Sequence, residues 1–244
     1  MPQTDIGAHA RAHGRAHIGA LTFDIFGTVV DWYGSIAAEV ARLKLASDGG
    51  RFALDWRAGY QPAMQDVRSG ALPWTNIDGL HRRILDRVLA GRGIALPEAD
   101  AAALNRIWHR LDPWPDSAGG LARLKKRFVL ATLSNGNLSL LVDLARHGGL
   151  PFDCVLSAEL FNHYKPDPEV YLGAAKLLDL APAQVMMVAA HPSDLRAAAK
   201  CGLATACVKR PLEKGPGGTP EPFADGEFDF TAEDFNDLAR QLGC

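Results

Sequence analysis

Asp24 closes the apolar run Ala20-Leu21-Thr22-Phe23 and opens the turn Ile25-Phe26-Gly27-Thr28. A carboxylate carried into a glycine turn by a buried strand, with a hydroxyl four residues on, has the makings of a nucleophile. Two residues beyond it stands Phe26, so no neighbouring acid is offered to protonate a leaving group.

Three further clusters follow other apolar runs. Ser134-Asn135-Gly136 supplies a hydroxyl, an amide and backbone N–H groups that can hold an anion at the start of a helix. Ser and Asn are equally ordinary helix caps there. Lys165 in Tyr164-Lys165-Pro166 can neutralise a buried carboxylate or stand in solvent. Asp194, at the end of Val188-Ala189-Ala190-His191-Pro192-Ser193-Asp194, is a second acid or a cap for the helix after it.

The elements that position these groups alternate. Apolar β-type runs at 20–24, 128–134, 154–158, 185–190 and 205–208 are separated by helical patterns at 138–147, 169–178 and 194–201. Continuous apolar strands are buried on both faces, which predicts an α/β fold: a Rossmann-like, mostly parallel sheet covered by helices. Reactive groups in such folds collect at the carboxyl ends of the strands, where each candidate lies. Between the first two strands about a hundred residues read as helix, at 35–45, 54–67, 75–89 and 98–111. The expected organisation is a flexible leader over 1–18, an α/β core over 19–31 and 116–244, and an inserted helical cap over 32–115 that excludes water from the site.

Composition bounds the partners. With 26 basic and 28 acidic residues the net charge is −2, so no broad field draws in nucleic acid or an anionic membrane. A small molecule is the expected partner. No apolar stretch of about 18 residues spans a bilayer, and the N-terminus lacks the apolar segment of a secretory signal. Cys154, Cys201, Cys207 and Cys244 form no CxxC pair and read as reduced thiols of a cytoplasmic protein. His9, His13 and His17 would share a helical face, but the glycine-broken leader around them reads as a frayed terminus without metal.

Asp24, Ser134-Asn135-Gly136, Lys165-Pro166 and Asp194 occur in the order and spacing of the four motifs of the haloacid dehalogenase superfamily, over residues 18–244. Within it the chain most resembles the type II L-2-haloacid dehalogenases, through the helical cap, Asp31-Trp32, Tyr171 and the tail around Arg210-Pro211-Leu212-Glu213. That resemblance implies hydrolytic, cofactor-free and metal-independent dehalogenation of short L-2-haloalkanoic acids. Asp24 would attack C2 with inversion, and water would hydrolyse the ester to a D-2-hydroxy acid. Thr28, Ser134 and Lys165 would orient Asp24 and the substrate carboxylate, Arg57 and Asn135 would receive the halide, and Tyr171 would join the substrate-binding set. Dimers are common in the resembling family, but the sequence leaves the oligomeric state open.

Phosphatases of the superfamily carry an acid where Phe26 stands and a metal-binding Asp where Ala190 stands. A methyl group cannot bind magnesium. A phosphoryl hydrolase with other ligands, or a non-catalytic binding protein, is the alternative. The best-known dehalogenase pattern has Ser and Asn at Ala189 and His191. With an ordinary pKa of ~6.5, His191 is expected to activate the hydrolytic water together with Asp194, the bland alternative being a space-filling role. Tyr33, Trp56, Tyr60, Met64, Trp74 and Trp108 are available to line the alkyl pocket, and Ser193 replaces a large aromatic. The expected substrate is a short 2-haloalkanoate such as 2-chloropropionate or a haloacetate.

Overall fold

The structure is a computed structural model and describes residues 17–244. Residues 1–16 of the leader, with His9 and His13, lie outside the described residues. Among the described residues one six-stranded sheet is formed by β1 (Ala20–Phe23), β2 (Val129–Ser134), β3 (Cys154–Ser157), β4 (Val185–Ala189), β5 (Ala204–Val208) and β6 (Phe230–Ala232). The order is β3-β2-β1-β4-β5-β6, and every pairing is parallel. β1, β4 and β5 are buried along their whole length, as continuous apolar runs require when helices cover both faces.

β1 is central because the chain leaves it for β2 on one side and later lays β4 on the other. A crevice opens at the carboxyl ends where the order reverses. Asp24 follows β1 there and donates its N–H to Val188 O of β4 at 3.0 Å. Ser134 ends β2, and His191 lies two residues beyond β4.

Between β1 and β2 run α1 (Trp32–Arg42), α2 (Gly49–Ala58), α3 (Tyr60–Arg68), α4 (Ile77–Gly91), α5 (Glu98–Asn105) and a 3-10 turn (Arg106–His109). Side chains of Asp31, Asp48 and Asn76 accept N–H bonds at the starts of α1, α2 and α4, each cap contributing about 1 kcal/mol. The single helix expected over 54–67 is broken at Gly59, where an added Cβ would lie 2.4 Å from Ile84 Cγ2. That close approach lets α2 and α3 wrap α4. Trp56 and Trp108 stand edge-to-face at 5.6 Å and are fully buried. They belong to the apolar cluster that continues from the insertion into the sheet's core, so these two expected pocket walls are packing residues.

The insertion is tied to the sheet-bearing part by charge. His109 lies between Asp78 of α4, 2.9 Å from Nε2, and Asp143 of α7 (Leu138–His147), 2.7 Å from Nδ1. At the other end Arg68 donates to Asp167 and to the carbonyls of Tyr164 and Lys165. α6 (Ser117–Leu124) returns the chain to β2. α8 (Pro168–Leu177), α9 (Pro192–Lys200) and α10 (Phe235–Gln241) cover the sheet. No helix among the described residues is long and apolar enough to cross a membrane.

Candidate active site

The nucleophile turn is held by its own backbone. Val29 N bonds Ile25 O at 2.9 Å and Gly27 N bonds Val30 O at 3.0 Å. Gly27 has φ +86°, and a Cβ there would lie 2.4 Å from Glu213 Oε1. The turn therefore needs glycine twice, for its left-handed backbone and for the carboxylate packed on it.

Asp24 is buried, and both its oxygens are engaged. Oδ1 accepts from Lys165 Nζ at 2.9 Å. Oδ2 accepts from Thr28 Oγ1 at 2.7 Å and faces His191 Nδ1 at 3.1 Å. Thr28 Oγ1 in turn accepts from Ala190 N at 2.9 Å, which fixes the hydroxyl's direction. Burial alone would raise the carboxyl's pKa, but the Lys165 ammonium, His191 and Thr28 outweigh it and hold Asp24 far below the usual carboxylate range. The group is held as an anion.

Lys165 also reaches Asp194 Oδ2 at 2.5 Å, and the other Asp194 oxygen accepts from Tyr171 at 2.5 Å. Burial works against the ammonium, yet the two carboxylates raise its pKa above the ordinary lysine value. Asp194 is pushed up, first by burial and then by the charge of Asp24. Tyr171 points its hydroxyl at Asp194, which makes it a support for that carboxylate. It also lines the cavity that holds Asp24 and Lys165.

Asn135 holds the lysine's backbone. Its Oδ1 accepts from Lys165 N at 2.6 Å, and its Nδ2 donates to Lys165 O at 3.4 Å. Ser134 Oγ accepts from Gly136 N at 3.2 Å, in keeping with the capping alternative, and leaves its own proton for another acceptor. Both residues line the same cavity of about 340 Å³ as Asp24, Lys165, Arg57 and His191.

Arg57 enters from α2. Its guanidinium lies 4.1 Å from the Tyr60 ring, 5.6 Å from Trp32 and 6.0 Å from Phe26. Nη1 is buried without a hydrogen-bond partner. An unpaired buried donor on a cation is costly, about 1–3 kcal/mol or more, and an anion entering the cavity would relieve it. Phe26 packs edge-on against Trp108 at 5.4 Å, inside the apolar cluster.

His191 departs from expectation. Its ring makes no bond to the Asp194 carboxylate, which is already held by Lys165 and Tyr171, and the two residues meet only through the backbone, Asp194 N donating to His191 O at 3.1 Å. Its Nε2 lies 2.9 Å from Glu213 Oε1, opposite the Asp24 contact. Burial disfavours the charged ring, but the two carboxylates push its pKa up to about 10 rather than leaving it near the ordinary value. Glu213, known from the sequence only as part of a tail motif, is a site residue. It is buried, also accepts from Trp32 Nε1 at 3.1 Å, and is held below the usual carboxylate range chiefly by His191 against the cost of burial. Of the expected pocket aromatics, Tyr60 lines the cavity, whereas Trp74 stacks on Tyr164 at 4.7 Å.

The donor set does not fit a divalent cation. Lys165 Nζ already bonds both Asp24 and Asp194, and Ala190 presents a methyl group and a backbone N–H. No step through a metal follows from these residues.

The parallel sheet, the helical insertion and the buried Asp24–Lys165–Asp194 cluster fit a hydrolase of the α/β class, and the chain belongs to the haloacid dehalogenase-like hydrolase family, which it matches over residues 18–202. Within that family it is similar to L-2-haloacid dehalogenases. (S)-2-haloacid dehalogenase 1 of Pseudomonas sp. (strain CBS-3) is 32% identical, over 79% of this chain and 85% of that protein. The crystal structure of the L-2-haloacid dehalogenase PA0810 superposes with a TM-score of 0.89 at 47% identity, over 93% of this chain and 99% of that one. The L-2-haloacid dehalogenase of Xanthobacter autotrophicus, solved with chloropropionic acid covalently bound, has a TM-score of 0.80 at 26% identity, over 93% and 98%.

Proposed function

We propose that this enzyme hydrolyses the carbon–halogen bond of short L-2-haloalkanoic acids through an ester on Asp24. The observation that carries the reading is the unpartnered Nη1 of Arg57, a buried cationic donor in the same cavity as an ionised Asp24. One group supplies the attacking electron pair, and the other supplies an acceptor site for the departing anion.

Asp24 attacks C2 of the substrate, the C–O bond forms as the carbon–halogen bond breaks, and the configuration inverts. The halide leaves with the bonding pair and needs no proton, which suits Phe26 in place of an acid. Arg57 receives it. Lys165 and Thr28 fix the attacking oxygens, and Ser134 offers a hydroxyl to the substrate carboxylate. Water then attacks the Asp24 carbonyl carbon, the ester C–O bond breaks, and a D-2-hydroxy acid departs. Lys165 supplies the positive charge that a metal would otherwise bring, so the reaction is metal-independent.

The insertion acts as a cap over this cavity, within the boundaries 32–115. Four unpaired cysteines support a reducing, cytoplasmic setting, and likeness to the dehalogenases favours a homodimer. The test is halide release from racemic 2-chloropropionate. The expected result is consumption of the L enantiomer alone, loss of activity in Asp24→Asn, and no effect of EDTA. Magnesium-dependent phosphate release without halide release would replace this reading with a phosphatase.

A further inference from the structure

Tyr60 opens α3 directly after the break at Gly59. The break brings its ring onto the guanidinium of Arg57, 4.1 Å from the ring centroid. The ring also packs on His81 at 5.6 Å and is buried, so its direction is fixed. Tyr60 and Arg57 line the cavity that holds Asp24.

The phenol stands among Arg57, Asp24, Lys165 and the side-chain amide of Asn135. Asn135 Oδ1 is taken by Lys165 N at 2.6 Å, so Nδ2 is the end that donates to the phenol oxygen. That nitrogen otherwise has only long contacts, 3.4 Å to Lys165 O and 3.5 Å to Met64 Sδ. The phenol's own proton has no acceptor among the described residues. Burial pushes the Tyr60 pKa up, which keeps the group a neutral O–H donor. Beside it lies the unpaired Nη1 of Arg57. The cavity therefore holds a cluster of donors that lacks an acceptor.

Displacement with inversion places the leaving atom opposite the attacking oxygen. Asp24 reaches the cavity from the end of β1, whereas Arg57 and Tyr60 reach it from the helical insertion. The donor cluster is thus on the side toward which a group displaced by Asp24 departs. The substrate carboxylate has a separate partner in the Ser134 hydroxyl.

We propose that Tyr60 is a further catalytic residue, its O–H donating a hydrogen bond to the departing halide together with Arg57 Nη1 and Asn135 Nδ2. The proposal rests on the dehalogenase reading. The C–O bond to Asp24 forms as the carbon–halogen bond breaks, and the halide takes the bonding pair. The phenol proton stays on its oxygen throughout, so no acid is consumed. A hydrogen bond of this kind strengthens as charge gathers on the leaving atom, and it lowers the barrier for that reason. Its strength falls with the charge density of the anion, from fluoride through chloride to bromide.

Tyr60→Phe keeps the ring on Arg57 and removes only the hydroxyl. Rapid-quench single turnovers on fluoro-, chloro- and bromoacetate follow ester formation on Asp24, and the burst amplitude counts the competent sites even if the variant folds less well. The expected result is a rate loss of at least about 10-fold on fluoroacetate that shrinks through chloroacetate to bromoacetate. KM should change less than the rate, and added chloride should inhibit the variant more weakly than the wild type. An equal loss on all three substrates would overturn the proposal, since a residue that only shapes the cavity does not sense the leaving atom. A raised KM with an unaltered rate of ester formation would overturn it too, by placing the hydroxyl on the substrate carboxylate. So would rates that match the wild type throughout. A wild-type enzyme that releases no halide from any of the substrates would instead sink the dehalogenase reading on which Tyr60's role depends.

Discussion

The ammonium of Lys165 lies 2.9 Å from Asp24 Oδ1 while it also bonds Asp194, so one buried cation serves two buried carboxylates. Removing it would leave both anions without their main partner. Lys165→Met should lower the rate of ester formation by at least about 100-fold, the scale for losing one preorganised electrostatic contact. It should also destabilise the fold by about 3–5 kcal/mol, as expected for breaking a buried pair. Stopped-flow halide release and chemical denaturation measure the two effects. A variant of wild-type stability would mean that the carboxylates take up protons without cost, contrary to the ionised Asp24 described here.

Arg57 stacks on Tyr60 at 4.1 Å and leaves Nη1 unpaired. A lysine at this position keeps the charge but loses the planar fork and the ring stacking. Arg57→Lys should slow ester formation by about 10- to 100-fold. The loss should be larger for a poor leaving group such as fluoride than for bromide, because the poorer group needs more stabilisation in the transition state. Single-turnover rates on fluoro-, chloro- and bromoacetate would check this. An equal loss on all three would assign Arg57 to substrate binding instead of halide departure.

His191 makes stability depend on pH in the alkaline range. Its pKa is raised in the folded state to about 10 by Asp24 and Glu213, against the cost of burial, and is ~6.5 in the unfolded chain. The folded state holds the proton more tightly, so the contribution is fully present below pH ~6.5 and is lost as pH rises through about 10. Asp24 acts with the opposite sign. Its depressed pKa stabilises above the unfolded value of ~3.9 and is lost as pH falls below that. Thermal melts from pH 6 to 10, taken here as a range of about four units, should show a steeper fall for wild type than for His191→Gln. Parallel curves would contradict an imidazolium in the folded state.

Much of this site was readable from the sequence because its members sit at strand ends, and buried strands announce themselves by short continuous apolar runs. Asp24, Ser134 and Asp194 are fixed in that way, each within a few residues of such a run, and Lys165 follows the run at 154–158 by seven residues. Glu213 was not readable as a partner. It comes from a loop after β5 and meets His191 across 22 residues and the nucleophile turn across a cavity left by Gly27. The expected joint action of His191 and Asp194 on water rested on their places in the fourth motif. The ring lies between Asp24 and Glu213, while Lys165 and Tyr171 hold the Asp194 carboxylate. The edge strand β6 has three residues, only one of them buried, too short for a pattern to show. α10 has its cap, Asp234, but only two helical turns behind it.

Arg68 joins the insertion to the backbone of Lys165. From the last turn of α3 it donates to the Lys165 carbonyl at 2.9 Å, the Tyr164 carbonyl at 3.1 Å and Asp167 at 3.1 Å. The side chain is partly exposed, so the ion pair itself contributes at most about 1 kcal/mol to stability. Its geometric effect is larger, since it fixes the backbone from which Nζ reaches Asp24, and a small displacement there can cost up to about 100-fold in rate. Arg68→Ala should therefore lower the halide burst about 10-fold or more while shifting the denaturation midpoint little. Arg68→Lys should restore little, because a point charge cannot reach one carboxylate and two carbonyls together. Burst amplitude counts the folded, competent sites, so it separates a slower site from fewer sites. A reduced amplitude at the wild-type burst rate would show that Arg68 only holds the fold together.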